Sequence, residues 1–322
     1  MADGQPVLID FENSIFDREL YEQGHGSVMH RDVTGTSFRS RLHLFINGRN
    51  QVAPKQCGHF LHHVKRKTSR PTVLVIGGGK IGQGAGSLYS DPDIEIVGTD
   101  VYASPYTCLL ADAHGLPFPT ASFDGVWVQA VLEHALEPAT VVAEVHRVLK
   151  PGGLVYAETP FMQEVHEGAY DFTRFTLSGH RWLFKHFEQI DAGVVSGPGV
   201  ALVWSIRYLS RALGTGEAVA RLVSLPFFWL RYLDRLTRGR AAADGASGVF
   251  FFGRRSERRL SPKAMPEYYE KQQTQDQQTA VNRGQPEKPR MGSFARLARA
   301  ASRLPRRTVA LARPHSRASD RS

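Results

Sequence analysis

The stretch Val73–Gly82, VLVIGGGKIG, constrains this chain more than any other. Four apolar, mostly β-branched residues run straight into Gly77, Gly78 and Gly79, and Gly82 follows three positions on. A short apolar run bounded by glycines is the pattern of a strand buried on both faces of a parallel sheet. The glycines let the backbone turn sharply and let a bound group approach where a Cβ would otherwise stand. Ala85, Leu88 and Tyr89 predict that a helix continues from the turn, with its free amides facing it. Strand, glycine turn and helix form a cradle for a nucleotide-like ligand. Gly77, Gly79 and Gly82 alone satisfy G-x-G-x-x-G, a pattern too permissive to name that ligand.

The pattern around this stretch is regular. Strands are expected at Thr72–Ile76, Ile94–Thr99, Thr107–Ala111, Asp124–Gln129 and Gly153–Glu158, with helix-compatible segments between them. The clearest helix is Ala139–Leu149, where Val141, Val142, Val145, Val148 and Leu149 recur at helical spacing before Pro151-Gly152-Gly153 stops it. Such alternation predicts an α/β fold, an open parallel sheet covered on both faces, with its ligand at the strands' carboxyl ends where strand order reverses.

A chain of 322 residues can bury one large core with appendages. Its net charge of +9 is not spread evenly. Arg254–Ser322 holds 17 basic and 6 acidic residues, leaving 23 basic and 25 acidic for the first 253. The basicity belongs to the tail. Cys57 and Cys108 are too far apart for a thiolate metal motif, which argues against a disulfide scaffold and fits a reducing, cytoplasmic setting. No signal peptide and no spanning apolar run is visible. Residues 1–70 read as an N-terminal extension packing on the main domain, with a strand-like piece at Leu42–Ile46 and a turn at Asn47-Gly48. Cys57, His59, His62 and His63 cluster there, but no second cysteine or carboxylate completes a metal set, so no metal site is expected.

The second predicted strand ends at Asp100, about 20 residues past the turn, where a carboxylate can accept both hydroxyls of a ribose. That suits NAD and any other adenosine-containing cofactor equally. Further along come LPFP…SFDGVW (Leu116–Trp127), LEH (Leu132–His134) and RVLKPGG (Arg147–Gly153). With these linked pieces in order, residues 72–253 closely resemble the class I S-adenosylmethionine-dependent methyltransferases, in particular the type 11 group. The resemblance implies a Rossmann-like, doubly wound sheet of seven mostly parallel strands, with helices on both faces. It also implies an S-adenosylmethionine site whose product is S-adenosylhomocysteine. Asp112 and Ala113 fall where that family contacts adenine, joining Gly77, Gly78, Gly79, Gly82 and Asp100. Gln129 and Ala130, at the end of the fourth strand, are placed at the methionine end. Ser247–Gly253 fits the family's last, antiparallel strand. Two positions depart from the pattern: Val75 stands where an acidic residue is usual, and Gly82 lies one place later than the usual third glycine.

Methyl transfer from a sulfonium is an in-line displacement with a good leaving group, so the protein's main task is alignment and exclusion of water. A general base matters only for a protonated, weakly nucleophilic acceptor. Thr159–Thr176, TPFMQEVHEGAYDFTRFT, gathers His166, Glu167, Tyr170, Asp171 and Arg174 just past a strand end. His166 is the candidate base. Tyr170, Asp171 and Arg174 are candidate acceptor contacts, although Asp171 and Arg174, three apart, can also pair with each other. His134 reads as a structural or cofactor-loop residue.

After a sixth strand near Phe187–Val195, residues 200–240 predict a helical, partly amphipathic insertion before the last strand. Leu222, Leu225, Pro226, Trp229, Leu230, Leu233 and Leu236 line one side of a helix, with Arg221, Arg231, Arg235 and Arg238 near the other. This is a helical cap over an acceptor pocket or an interfacial element for an anionic membrane, hence the inner face of the membrane as a candidate surface. Residues 254–322 read as a basic, disordered tail in which Phe294, Leu297, Ala301 and Leu304 form a short amphipathic turn. No nucleic-acid-binding fold accompanies that charge. The expected function is methyl transfer to a small-molecule, glycan or lipid-linked acceptor. Competing readings are an NAD-binding oxidoreductase or epimerase, and a methyltransferase fold acting only as a binding module.

Overall fold

The structure, a computed structural model, describes residues 4–22 and 50–271. Seven strands form one sheet: β1 (Thr72–Ile76), β2 (Glu95–Asp100), β3 (Leu109–Leu110), β4 (Phe123–Gln129), β5 (Leu149–Pro160), β6 (Phe187–Ser196) and β7 (Gly248–Arg255). Their order across the sheet is β3-β2-β1-β4-β5-β7-β6. β1 to β5 pair in parallel, while β7 runs antiparallel to both β5 and β6. Chain order reverses between β1 and β4, so the crevice at their carboxyl ends is the natural ligand site. Gly77 begins there.

Alternation along β1 decides which face each residue serves. Leu74 and Ile76 join one core with Val141, Val145 and Val148 of the helix Pro138–Val148. Val73 and Val75 join the other core, with Cys57, Phe60 and Val64 of the helix Val52–Lys65. Phe60 meets Trp127 edge-on at 5.5 Å between ring centroids, and a side chain at Gly125 would overlap the Phe60 ring. The predicted N-terminal extension therefore supplies one layer of the sandwich. Its histidines His59 and His62 point to the exposed side of that helix while Cys57 is buried.

Two sequence expectations change. The helix after the glycine turn does not start at the turn: it spans only Gly86–Ser90, after a loop in which Gly84 has φ +87° and before Asp91-Pro92. The insertion does not carry its stripe from Leu222 to Leu236 on a single helix. It is built from Pro198–Ala212, Glu217–Ser224, a 3-10 turn at Leu225–Phe227, a short helix Leu230–Leu233 and Gly239–Asp244. Pro226, which lacks an N–H and crowds the preceding turn, stands at the break. Asp234 anchors this insertion by accepting from the Gly197, Gly199 and Val200 amides, the start of the first insertion helix. None of the helices among the described residues is long and apolar enough to cross a membrane. The strand-like piece at Leu42–Ile46, the turn at Asn47-Gly48 and the turn around Phe294–Leu304 lie outside the described residues.

Candidate active site

The glycine turn is held in place by its own backbone. Gly77 has φ +71°, a left-handed conformation that costs any other residue, and a Cβ there would overlap Val131. The Gly78 amide donates to the Thr99 carbonyl at 2.9 Å. The Gly79 amide donates to Asp100 Oδ2 at 2.8 Å, and Asp100 Oδ1 accepts from Val101 at 2.7 Å. A side chain at Gly79 would overlap the Tyr102 ring, and one at Gly82 the Gln129 amide. The carboxylate expected to meet a ribose therefore stands at the lip of the turn, fixed by the turn itself.

One strand further out, Asp112 is buried and heavily bonded. Its Oδ1 accepts from the His114 amide at 3.0 Å and faces His114 Nδ1 at 2.5 Å, while Oδ2 accepts from Ser14 Oγ at 2.5 Å. Burial would raise its pKa, but these bonds outweigh burial and hold the carboxyl below its ordinary range; the bond to Asp112 in turn raises His114. Ala113 packs at the edge of the first core. Ser14 belongs to an N-terminal segment that lies across these strand ends. Val7 bridges to Leu110, Tyr21 donates to the Val101 carbonyl, and Phe16 stacks on Tyr170 with 7° between the rings.

On the other side of the switch point, Gln129 at the end of β4 sits beside Glu158 of β5. Gln129 Nε2 donates to Glu158 Oε2 at 2.9 Å and to the Gln83 carbonyl at 3.1 Å. Asn50 donates to both Glu158 oxygens, at 3.1 and 2.9 Å, and Tyr156 donates its hydroxyl to Oε1. Burial drives the Glu158 pKa upward. Ala130 has φ +55°, an uncommon conformation for a residue with a Cβ, and sits immediately after the strand. Val75 faces the apolar core, so the buried carboxylate of this region comes from β5 instead.

The residues expected on the acceptor side lie by the 3-10 turn Leu132–His134 and in the loop after β5. The Phe172 and Thr173 amides donate to the Glu133 carbonyl at 2.8 and 3.2 Å, bracing loop against turn. Asp171 and Arg174 pair with each other, as their spacing allowed, and Arg174 also donates to the Gln163 and Glu164 carbonyls. Burial favours a neutral Asp171, but hydrogen bonds from Arg174 and the His166 amide outweigh it and hold the pKa at about 2. His166 does not stand alone: its ring lies edge-on to His134 at 5.2 Å, with Nδ1 3.3 Å from Asp171 Oδ2 and Nε2 3.9 Å from Glu133 Oε1. Tyr170 is half-buried under Phe16, and its carbonyl faces His134 Nδ1 at 2.7 Å.

The structure thus gathers Gly77–Gly82, Asp100, Asp112, Ala113, Gln129 and Ala130 at the ends of β1 to β4, and His166, Tyr170, Asp171 and Arg174 above β5. Reading the sequence passed over Ser14, Asn50, Glu133 and Glu158. Glu158 alone carried a local signal, as the acidic last residue of a predicted strand.

The order of the sheet, its reversed final strand and the glycine turn with strand-end carboxylates at the switch point have the arrangement of the class I S-adenosylmethionine-dependent methyltransferase fold. Residues 80–157 match the family described as Methyltransferase domain, of the type 11 group. The chain is 33% identical over 139 residues to a demethylmenaquinone methyltransferase of Symbiobacterium thermophilum, covering 38% of this chain and 52% of that protein. It is 28% identical over 213 residues to a sterol 24-C-methyltransferase of Candida albicans, covering 61% of this chain and 50% of that one. It therefore spans about half the length of these relatives. Among solved structures, a phosphoethanolamine N-methyltransferase 2 of Haemonchus contortus in complex with S-adenosyl-L-methionine is similar at 18% identity and a TM-score of 0.44, over 72% of this chain and 61% of that one.

Proposed function

We propose that this protein transfers a methyl group from S-adenosylmethionine to an amphiphilic, lipid-linked acceptor. The observation that carries the donor half is the convergence of four elements on one crevice: the glycine turn, Asp100, Asp112 and the Gln129–Glu158 pair. A chain with these groups meets the demands of an adenosyl amino acid: carboxylates for ribose and adenine, and a polar end for the methionine moiety. When bound, the sulfonium supplies an electrophilic methyl. The chain's own groups hold the ligand by its ends, and the Ser14 segment and the loop around Tyr170 keep water from the crevice.

The acceptor half rests on the insertion. Leu209, Leu213, Leu222 and Leu236 are 62%, 76%, 67% and 74% exposed, and Trp229, Phe227 and Leu233 are exposed beside them. Arginines lie against aromatic rings in the same insertion: Arg207 on Trp204, Arg211 on Tyr208, Arg231 and Arg235 on Tyr232. Exposed Leu and Trp interleaved with Arg is the composition that lies at an anionic lipid surface. The names of the relatives, demethylmenaquinone and sterol methyltransferases, favour a lipophilic acceptor as well.

Calorimetry with S-adenosylmethionine, S-adenosylhomocysteine and NAD tests the donor. Binding of both adenosyl ligands without NAD is expected, and NAD binding alone would replace the methyltransferase by an oxidoreductase. Vesicle flotation tests the acceptor side: salt-sensitive binding to anionic but not zwitterionic lipid is expected, and its absence removes the membrane.

A further inference from the structure

We infer that Glu133, His134 and His166 form a binding site for a divalent transition-metal ion of the zinc class. One carboxylate oxygen and two ring nitrogens, from a turn and a loop 32 residues apart in sequence, all lie within 4.8 Å of one another. Glu133 Oε1 stands 3.7 Å from His134 Nε2 and 3.9 Å from His166 Nε2.

The surroundings of the two rings fix which nitrogen offers a lone pair. His134 Nδ1 faces the Tyr170 carbonyl at 2.7 Å, an acceptor only, so Nδ1 carries the proton. His166 Nδ1 faces the Asp171 carboxylate at 3.3 Å and the Glu164 carbonyl at 3.4 Å, again acceptors only. In the neutral rings Nε2 is then the nitrogen left to ligate, and both Nε2 atoms lie on the Glu133 side. A cation between the three would meet one carboxylate oxygen and two ring nitrogens. Ligand atoms about 2.0–2.2 Å from a tetrahedral zinc lie about 3.4 Å apart, a few tenths inside the two distances measured from Glu133 Oε1.

The second layer supports the same reading. A metal-bound histidine ordinarily donates its other N–H to a carboxylate or a backbone carbonyl, which orients the ring. His166 has the carboxylate and His134 the carbonyl. Asp171 is itself clamped by Arg174, so the support is rigid. Two imidazoles and one carboxylate suit zinc, cobalt, manganese or ferrous iron, not the all-oxygen sites of calcium or magnesium. Three protein ligands leave a coordination position open. The Glu133 side chain is 1% exposed and that of His166 22%, so the opening lies on the His166 side. Provided the methyl-transfer reading holds, that position would take an oxygen of the acceptor.

The test uses the full chain without a histidine tag, stripped with chelator and titrated with Zn2+ and with Co2+. One ion per chain is expected, with visible Co2+ absorption, and His134→Ala and His166→Ala should each weaken binding about 100-fold or more. His59→Ala/His62→Ala, on the exposed side of the Val52–Lys65 helix, should leave it intact. Uptake that persists in His166→Ala, or that disappears in His59→Ala/His62→Ala, overturns the site. S-Adenosylhomocysteine binding, measured on the same samples, is expected to be equal in wild type and variants. It reports on the donor site separately, so a failed metal site and a failed methyltransferase reading give different results.

Discussion

Ser14 Oγ donates a 2.5 Å hydrogen bond to Asp112 Oδ2 across 98 residues of sequence. With Tyr21 on the Val101 carbonyl and Phe16 on Tyr170, it makes the N-terminal segment a strap from the β3 edge to the loop after β5. The strap holds the carboxylate that a bound adenine would address.

Exchange of ligand should therefore require the strap to lift. Ser14→Ala removes a hydrogen bond to a charged group, a contact of about 1.5–3 kcal/mol. Discounted for the partial exposure of the segment, about one tenfold step remains. The release rate of S-adenosylhomocysteine, followed by stopped-flow fluorescence, should rise about tenfold, and the melting temperature should fall by a few degrees. An unchanged release rate means that the strap does not cover the site.

The turn itself makes a second prediction. Gly77→Ala places a Cβ on a backbone at φ +71° and against Val131. The conformation alone costs about 1–2 kcal/mol. Thermal melting should fall by several degrees, and calorimetry should show S-adenosylhomocysteine binding lost. Gly86→Ala, where a Cβ meets nothing within 4 Å, serves as the control and should change neither.

How much of this was legible beforehand depends on sequence distance. β1 was readable because four apolar residues end at three glycines, and the helix Pro138–Val148 because its valines repeat at helical spacing before Pro151. Asp100 was locatable because it closes a predicted strand, and Asp112 through the resemblance to the methyltransferases. Sheet order came through the resemblance carried by LPFP…SFDGVW and RVLKPGG, since periodicity says nothing about neighbours. The contacts of Ser14 with Asp112, Asn50 with Glu158, and Glu133 with His166 join segments 98, 108 and 33 residues apart. No local pattern encodes such pairs; they exist because separate loops fold over the same strand ends. The single helix expected for the stripe Leu222–Leu236 failed for a local reason that was visible, Pro226, whose break outweighs a good apolar stripe.

Glu158 carries a prediction about protons. Its pKa is raised by burial, so it holds its proton to higher pH than an unfolded glutamate does. The stability this brings is present below the unfolded pKa and is lost as pH rises through the folded one. A cationic amino group arriving beside it reverses that preference and expels the proton. On the acid side of the Glu158 titration, followed over a pH series, binding of S-adenosylhomocysteine should therefore release a proton, read as a binding enthalpy that changes with the ionisation enthalpy of the buffer. Glu158→Gln should abolish the dependence and weaken binding about tenfold, the worth of one charge-assisted hydrogen bond. A buffer-independent enthalpy in the wild type places the amino group elsewhere.

His180 sets the acid limit of the fold. It is fully buried, edge-on to Phe184 at 5.1 Å and to Phe251 at 6.5 Å, with no hydrogen-bond partner for either ring nitrogen among the described residues. Desolvation lowers its pKa to about 3. Between about pH 6.5 and 3 the unfolded chain binds a proton there that the folded chain refuses, so stability falls with pH across that window. At pH 5 the gap of about 1.5 units corresponds to about 2 kcal/mol. Asp171, with a folded pKa of about 2, adds its own loss only below about pH 4, as protonation approaches that value. His180→Phe keeps an aromatic ring among Phe175, Phe184 and Phe251 and removes the titration. Denaturant melts at pH 7 and pH 5 should show the wild type losing about 2 kcal/mol more than the variant. Equal losses would mean that His180 reaches water, or a partner, before it is protonated.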